Sequence, residues 1–178
     1  MDHPHPISLS LTKEHPFVDT YLSKPDYYHL FTLRTWEDGE PGMPKIALIV
    51  ASERLDKLFP AITLATTAAI SGWEAELFFT FWGLLALKKG YEPSEVSLDY
   101  QAYQDRLKEA LASGSMPGWR TVLEQGIATG RVKIYACSSS LGMFGMTAGD
   151  LEEYVDSVAG AATFLGRAKD AEVTLFVS

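Results

Sequence analysis

The chain is short of cysteine, of positive charge and of long apolar runs, and each shortage removes a class of function. Cys137 is the only cysteine among 178 residues, so no internal disulfide can form. No basic start followed by an apolar stretch opens the sequence, and a reducing cytoplasm is therefore the expected setting. The 15 lysines and arginines are scattered and outnumbered by 23 acidic residues, which leaves a formal net charge of -8. Without a basic stripe to displace counterions from a phosphate backbone, nucleic acid is not an expected partner. The longest apolar run, residues 77–87, is about half of the ~20 residues that a bilayer-crossing helix needs. No membrane span is expected, and the run reads as a buried strand passing into a helix. Neither G-x-G-x-x-G nor G-x-x-x-x-G-K-[ST] occurs, so no dinucleotide or nucleoside-triphosphate fingerprint is present and no cofactor is expected.

What is there suits one globular domain with an extension. Hydrophobic residues make up 47% of the chain and charged residues 21%, a balance that can bury a substantial core. Residues 1–44 hold six of the nine prolines and all four histidines, and read as an N-terminal extension in which residues 27–36 form an edge strand. His3, His5, His15 and His29 lack the spacing that fixes two imidazoles on one helix face, so a solvated tail is expected and not a metal site.

From Lys45 the pattern alternates strand with helix. Residues 46–51 are a continuous apolar run of the kind found where helices cover both faces of a strand. Asp56 reads as an N-cap and Pro60 as a first-turn proline. Leu58, Ile62, Ala65 and Ala69 recur at helical spacing until Gly72 stops the helix. A second strand is predicted over 75–81 with a short helix after it, then helices over 100–112 and 119–128, and a third strand over 132–136. Thr147 with Asp150 resembles a capping box for a helix running to about residue 165, and residues 173–177 supply a last strand. Strands alternating with helices imply a parallel sheet in an α/β fold.

Chemistry concentrates where Cys137 ends the third strand, because ligands in open α/β sheets gather beyond the carboxyl ends of the strands. Ser138, Ser139, Ser140, Gly142 and Met143 follow in a small-residue loop whose backbone can approach a ligand and whose amides favour an anionic sulfur. Two readings of Cys137 stand at this point, a reactive thiol and a small buried hydrophobe. No histidine or carboxylate lies in the loop to serve as a base, which argues against a hydrolytic cysteine. Ser52, in the loop after the first strand, and Thr80, Phe81, Trp82 and Gly83, in the loop after the second, are expected at the same sheet edge; the latter four read first as aromatic packing and then, with Ser52, as pocket lining.

Three segments together resemble the DsrE/DsrF-like family, in particular its stand-alone DsrE-like branch: residues 45–64, residues 75–87 with F-F-T-F-W-G-L, and residues 135–146 with Y-A-C-S-S-S-L-G-M-F-G-M. Residues 159–165 and 171–176 are similar as well. The resemblance implies a three-layer α/β/α sandwich over residues 45–178 around a mainly parallel, about five-stranded sheet. It also implies a cytoplasmic homo-oligomer in which Cys137 carries sulfur as a persulfide or thiosulfonate-type adduct. Sulfur donor and acceptor proteins and small sulfur anions would be its partners. Two departures matter. The methionine- and lysine-rich insert of many relatives has no counterpart in residues 91–130, and no second cysteine exists to resolve an adduct within the chain.

The sequence thus points to a sulfur carrier or sulfurtransferase-like protein with Cys137 as acceptor. Two alternatives remain: a non-catalytic module that binds a small anion or nucleotide beside an inert cysteine, and a structural subunit that docks a sulfur-transfer partner. Cys137 is expected beside a helix N-terminus or an amide-lined turn and partly open to solvent.

Overall fold

The computed structural model of the protein describes residues 43–178, and the expected edge strand over 27–36 and the four histidines lie outside the described residues. Strand β1 (Lys45–Val50) leads into helix α1 (Leu55–Ile70). Strand β2 (Glu74–Phe79) is followed by a 3-10 helix, Phe81–Leu87. A second 3-10 helix (Leu98–Tyr103), α2 (Gln104–Ala112) and α3 (Trp119–Ala128) form the long crossover. Strand β3 (Val132–Cys137) runs directly into α4 (Ser138–Phe144). The chain finishes with β4 (Ser157–Ala159), α5 (Ala161–Ala168) and β5 (Val173–Val177).

The five strands make one sheet in the order β4-β3-β2-β1-β5, with every neighbouring pair parallel. The α/β class and the five-stranded parallel sheet expected from the sequence are both present. Alternate residues of each strand serve different faces, which is the two-residue period of a pleated strand. Ile46, Leu48 and Val50 of β1, with Leu77 and Phe79 of β2 and Ile134 of β3, pack against Leu58, Ile62 and Ala65 of α1 and Leu123 of α3. Ala47, Phe78, Tyr135 and Cys137 face the other way and meet Phe164 and Ala168 of α5. Phe78 stacks on Phe164 with ring centroids 4.8 Å apart.

Several local expectations need correction. Asp56 does not cap α1; Arg54 holds the cap position, and the Asp56 carboxylate accepts hydrogen bonds from the Ser97 amide at 2.6 Å and hydroxyl at 2.8 Å. Pro60 lies beyond the first turn. Gly72 does end α1, with φ at 90°. The capping box at Thr147 and Asp150 is real, but it serves a single 3-10 turn, Ala148–Asp150. Leu151 is drawn into an extended conformation there, buried and bridged to Lys88, and this breaks the long helix expected over 147–165. The stretch after Cys137, expected as a loop, is helix α4.

Candidate functional site

The strand order reverses at β1. From β1 the chain steps through β2, β3 and β4 in one direction, and then β5 returns to pair with the opposite edge of β1. A crevice opens at such a reversal beyond the carboxyl ends of the strands. Here it is a cleft of about 500 Å³ lined by residues 51–54 after β1, Phe81 and Trp82 after β2, and Phe176 and Ser178 at the end of β5. Phe81, Trp82 and Phe176 are all more than half exposed, and the rings of Phe81 and Trp82 stack with centroids 5.8 Å apart. Of the residues expected to line a pocket, Ser52, Phe81 and Trp82 do meet in this cleft. The Ser52 hydroxyl accepts a hydrogen bond from the Arg54 amide at 3.2 Å and so takes part in starting α1.

Cys137 stands apart from that cleft. It is the N-cap residue of α4, level in the register with Ala159 of β4. Because Val50, Phe79 and Ala136 are aligned across β1, β2 and β3, the next residues Ala51, Thr80 and Cys137 form a row along the sheet edge. Two strand spacings put Cys137 ~10 Å from Ala51 and the near wall of the cleft. Its expected partial openness is corrected by the structure, in which 5% of its surface is exposed. Ser138, Ser139, Gly142 and Met143 are exposed on α4, whereas the thiol packs with Phe78, Tyr135, Ala159 and Phe164.

The surroundings of the sulfur are polar on one side. Burial pushes the Cys137 thiol up, but the hydroxyls of Ser140 and Thr80 and the amides of Ser140 and Ser139 outweigh it and hold the group below its ordinary range. Those amides belong to the first turn of α4, where N–H groups have no partner inside the helix. The Gly142 amide is past that turn and is used in the helix ladder, so the small-residue stretch contributes its first amides and not its last.

Ser140 is buried, and its Oγ accepts the backbone N–H of Phe81 at 2.7 Å while lying 3.3 Å from the Thr80 hydroxyl. Phe81 holds φ at 45°, the sole non-glycine residue with positive φ among the described residues. Strain of this kind, on the order of 1–3 kcal/mol, persists where the surroundings over-determine the backbone. The sequence puts Thr80 in the loop after the second strand without pairing it with Ser140. The signal for it was its place one residue after an apolar strand, level with Cys137, which becomes visible once the register is known.

The cleft itself holds the charges of Glu53 and Arg54, and two further charged clusters stand outside it. Arg167 clamps the buried Glu76 carboxylate with hydrogen bonds of 2.9 and 3.0 Å on the α5 face, and its guanidinium lies 4.9 Å above the Tyr135 ring. Arg120 gathers Glu92, Glu152, the Tyr154 hydroxyl and the Tyr91 carbonyl. Among the described residues no group of three His, Cys, Asp or Glu side chains converges as a metal site would require. No helix among them is long and apolar enough to cross a membrane.

Comparison with known proteins places these features in context. A model of the DsrE/DsrF/DrsH-like family matches residues 43–105 and 116–176, which leaves out residues 106–115 and so most of α2. The chain is 29% identical over 160 residues to the sulfur carrier protein DsrE2 of Allochromatium vinosum, a match covering 75% of this chain and 98% of that protein. A solved structure, the protein of unknown function MTH1491 from Methanobacterium thermoautotrophicum, is 17% identical with a TM-score of 0.47, covering 74% of this chain and 96% of that one.

Proposed function

The chain belongs to the DsrE/DsrF/DrsH-like family, and from that premise we propose that it is a sulfur carrier with Cys137 as the acceptor atom. A sulfur-transfer role is supported by the family and by a relative named as a sulfur carrier. The observation that carries the assignment to Cys137 is the thiol held below its ordinary range at the carboxyl edge of the sheet. Thiolate is the nucleophilic form, so a lowered thiol supplies more of it at a given pH than an ordinary cysteine does.

In the loading step the Cys137 thiolate attacks a sulfane sulfur. A bond forms between Sγ and that sulfur while the donor's bond to it breaks, and the donor leaves with the electron pair as thiolate or, from thiosulfate, as sulfite. In the unloading step a partner thiolate attacks the outer sulfur and Cys137 leaves as thiolate. No second cysteine exists in the chain, so the adduct cannot be resolved as an intrachain disulfide and the sulfur must pass to another molecule. The exposed backbone and side chains of Ser138, Ser139 and Met143 form the approach to the adduct. A homo-oligomer in a reducing cytoplasm is part of the same proposal.

A second reading has one observation in its favour. The cleft at the strand-order reversal is lined by Ser52, Phe81 and Trp82 but not by Cys137, as expected of a binding module whose cysteine is inert. Intact-mass measurement after incubation with tetrathionate or polysulfide separates the two. The carrier gains a sulfur-containing mass that thiol reductant removes and that Cys137→Ser lacks. An unchanged mass under conditions where iodoacetamide does alkylate Cys137 would sink the carrier and leave the binding module.

A further inference from the structure

We propose that the cleft at the strand-order reversal binds a flat nitrogen heterocycle that carries no negative charge and presents N–H donors, of the guanine or pterin type. The inference deepens the second reading above, since it rests on the cleft being a binding site, and it does not depend on what Cys137 does.

Three aromatic side chains stand around this one cavity, and none of them is packed away. Phe81 is 51% exposed, Trp82 57% and Phe176 65%. The volume of about 500 Å³ falls within the ~300–1,000 Å³ of sites that enclose small molecules. The wall made by Phe81 and Trp82 is fixed from below, because the Thr80 amide donates to the Val50 carbonyl at 3.0 Å and the Phe81 amide to Ser140 Oγ at 2.7 Å. Phe81 keeps its φ of 45° there while its ring stays in solvent, so the strained backbone gains little burial in return. A bulky residue held in that region is the pattern of a ligand clamp. Rings fixed in this way offer π faces on which a flat partner stacks.

The charges of the cleft set the sign of that partner. Arg54 is the one cation among the lining residues, and it is already engaged: Nη1 donates to Glu95, and Nε lies 3.9 Å from Glu53 Oε1. Two carboxylates around one guanidinium leave a net negative neighbourhood in a chain of formal charge -8. Phosphate and small sulfur anions are repelled from it.

The polar groups set the ring's edge, since stacking alone tolerates any base. Among the described residues the Glu53 carboxylate has the Arg54 guanidinium as its near partner, beyond hydrogen-bond length, and so keeps its capacity to accept. Ser52 Oγ accepts the Arg54 amide at 3.2 Å, which leaves the hydroxyl proton to donate. A carboxylate binds two parallel N–H groups best, as it does in a guanidinium fork. The amino group and adjacent ring N–H of guanine and pterin form the same fork, on a flat uncharged body.

Equilibrium dialysis of the full chain against guanosine, pterin, inosine and guanosine monophosphate, read by the absorbance of the ring, tests this. Guanosine or pterin is expected to bind with a Kd below about 1 mM, and the monophosphate no more tightly than the nucleoside. The tighter of guanosine and pterin identifies the source of the ring. Inosine, which lacks the amino donor, is expected to bind about fivefold more weakly than guanosine, a preference that Glu53→Gln removes. Trp82→Ala and Phe176→Ala are expected to weaken binding about fivefold or more. Tyr103→Ala, at an exposed aromatic outside the cleft, and Cys137→Ser should leave it unchanged. A monophosphate that binds more tightly than guanosine, and loses that binding in Trp82→Ala, would overturn the ring class and keep the cleft as a site. No retention of any of the four, or an equal loss in Tyr103→Ala and Trp82→Ala, would overturn both.

Discussion

A Cβ placed on Gly83 would fall 2.3 Å from the carbonyl oxygen of Val50 and 3.1 Å from the Ser52 amide. The 3-10 helix after β2 therefore lies directly on the carboxyl end of β1, an approach that only glycine allows. That contact seats Phe81 and Trp82 over the cleft and brings the Phe81 amide to Ser140. The glycine of the F-F-T-F-W-G segment is thus explained by backbone proximity.

Gly83→Ala is expected to force the two backbones apart and destabilise the protein by about 1–3 kcal/mol, the usual cost of overpacking. Gly142 supplies the contrast, because a Cβ there meets nothing within 4 Å and the residue lies inside α4. Gly142→Ala is expected to stabilise by about 0.5–1 kcal/mol through helix propensity. Urea unfolding of both variants checks the pair, and equal effects of the same sign would contradict this account of Gly83.

The lowered thiol of Cys137 makes stability depend on pH with a definite sign. Its ordinary value is 9.0, and the folded protein binds the proton less tightly than the unfolded chain does. Between the folded midpoint and 9.0 the unfolded state holds more protons, so stability rises with pH across that window. The contribution is complete above 9.0 and is lost as pH falls through the folded midpoint. The stability difference between wild type and Cys137→Ala, measured by urea unfolding across this range, is expected to grow with pH and then level off. A difference that stays flat through the whole window, or shrinks, would show that the thiol is not lowered.

The parallel α/β sheet was legible because its central strands are nearly pure apolar runs, as in I-A-L-I-V, and because α1 keeps strict helical spacing up to Gly72. Strand β4 was not, since Ser157–Ala159 is too short for a two-residue period to register. Helix α4 was hidden by its composition: three serines and a glycine read as a loop, and the fold overrides that preference by burying Ser140 and Leu141. At the site, Cys137 was visible from its place at a strand end. The contact of Thr80 with Ser140 was not, because the two are 60 residues apart in sequence and meet only through the sheet register. Burial of the thiol was missed because the cover comes from β4 and α5, elements that the sequence places poorly.

Glu76 could not have been recognised as a buried ion either, its partner Arg167 lying 91 residues away. Arg167→Met is expected to cost about 1–3 kcal/mol, since the carboxylate, buried in the second strand, keeps only the Lys45 ammonium at 3.7 Å. The half-exposed arginine places the expectation toward the lower end of that range. Replacing both partners, as Glu76→Leu with Arg167→Met, is expected to recover much of the loss, because no uncompensated charge then remains. Urea midpoints of the single and double variants decide it, and a double variant no better than the single would show that packing and not charge is responsible.

Tyr154 is pushed up to about 12, chiefly by burial, and the Arg120 guanidinium that donates to its hydroxyl at 2.9 Å works in the opposite direction. Below the ordinary value of 10.0 both folded and unfolded states hold the phenol proton and the group contributes nothing to pH dependence. Above it the unfolded chain loses the proton while the folded protein keeps it, so unfolding releases a proton and stability falls as pH rises toward 12. An ultraviolet tyrosinate titration of the folded protein is expected to show a last step near pH 12 that Tyr154→Phe removes. Because Arg120 lowers the phenol, Arg120→Met should delay that step further while also releasing Glu92 and Glu152. A last step that moves to lower pH in Arg120→Met, in a variant that still unfolds cooperatively, would mean that water has reached Tyr154 and that the arginine, not the surrounding packing, keeps it dry.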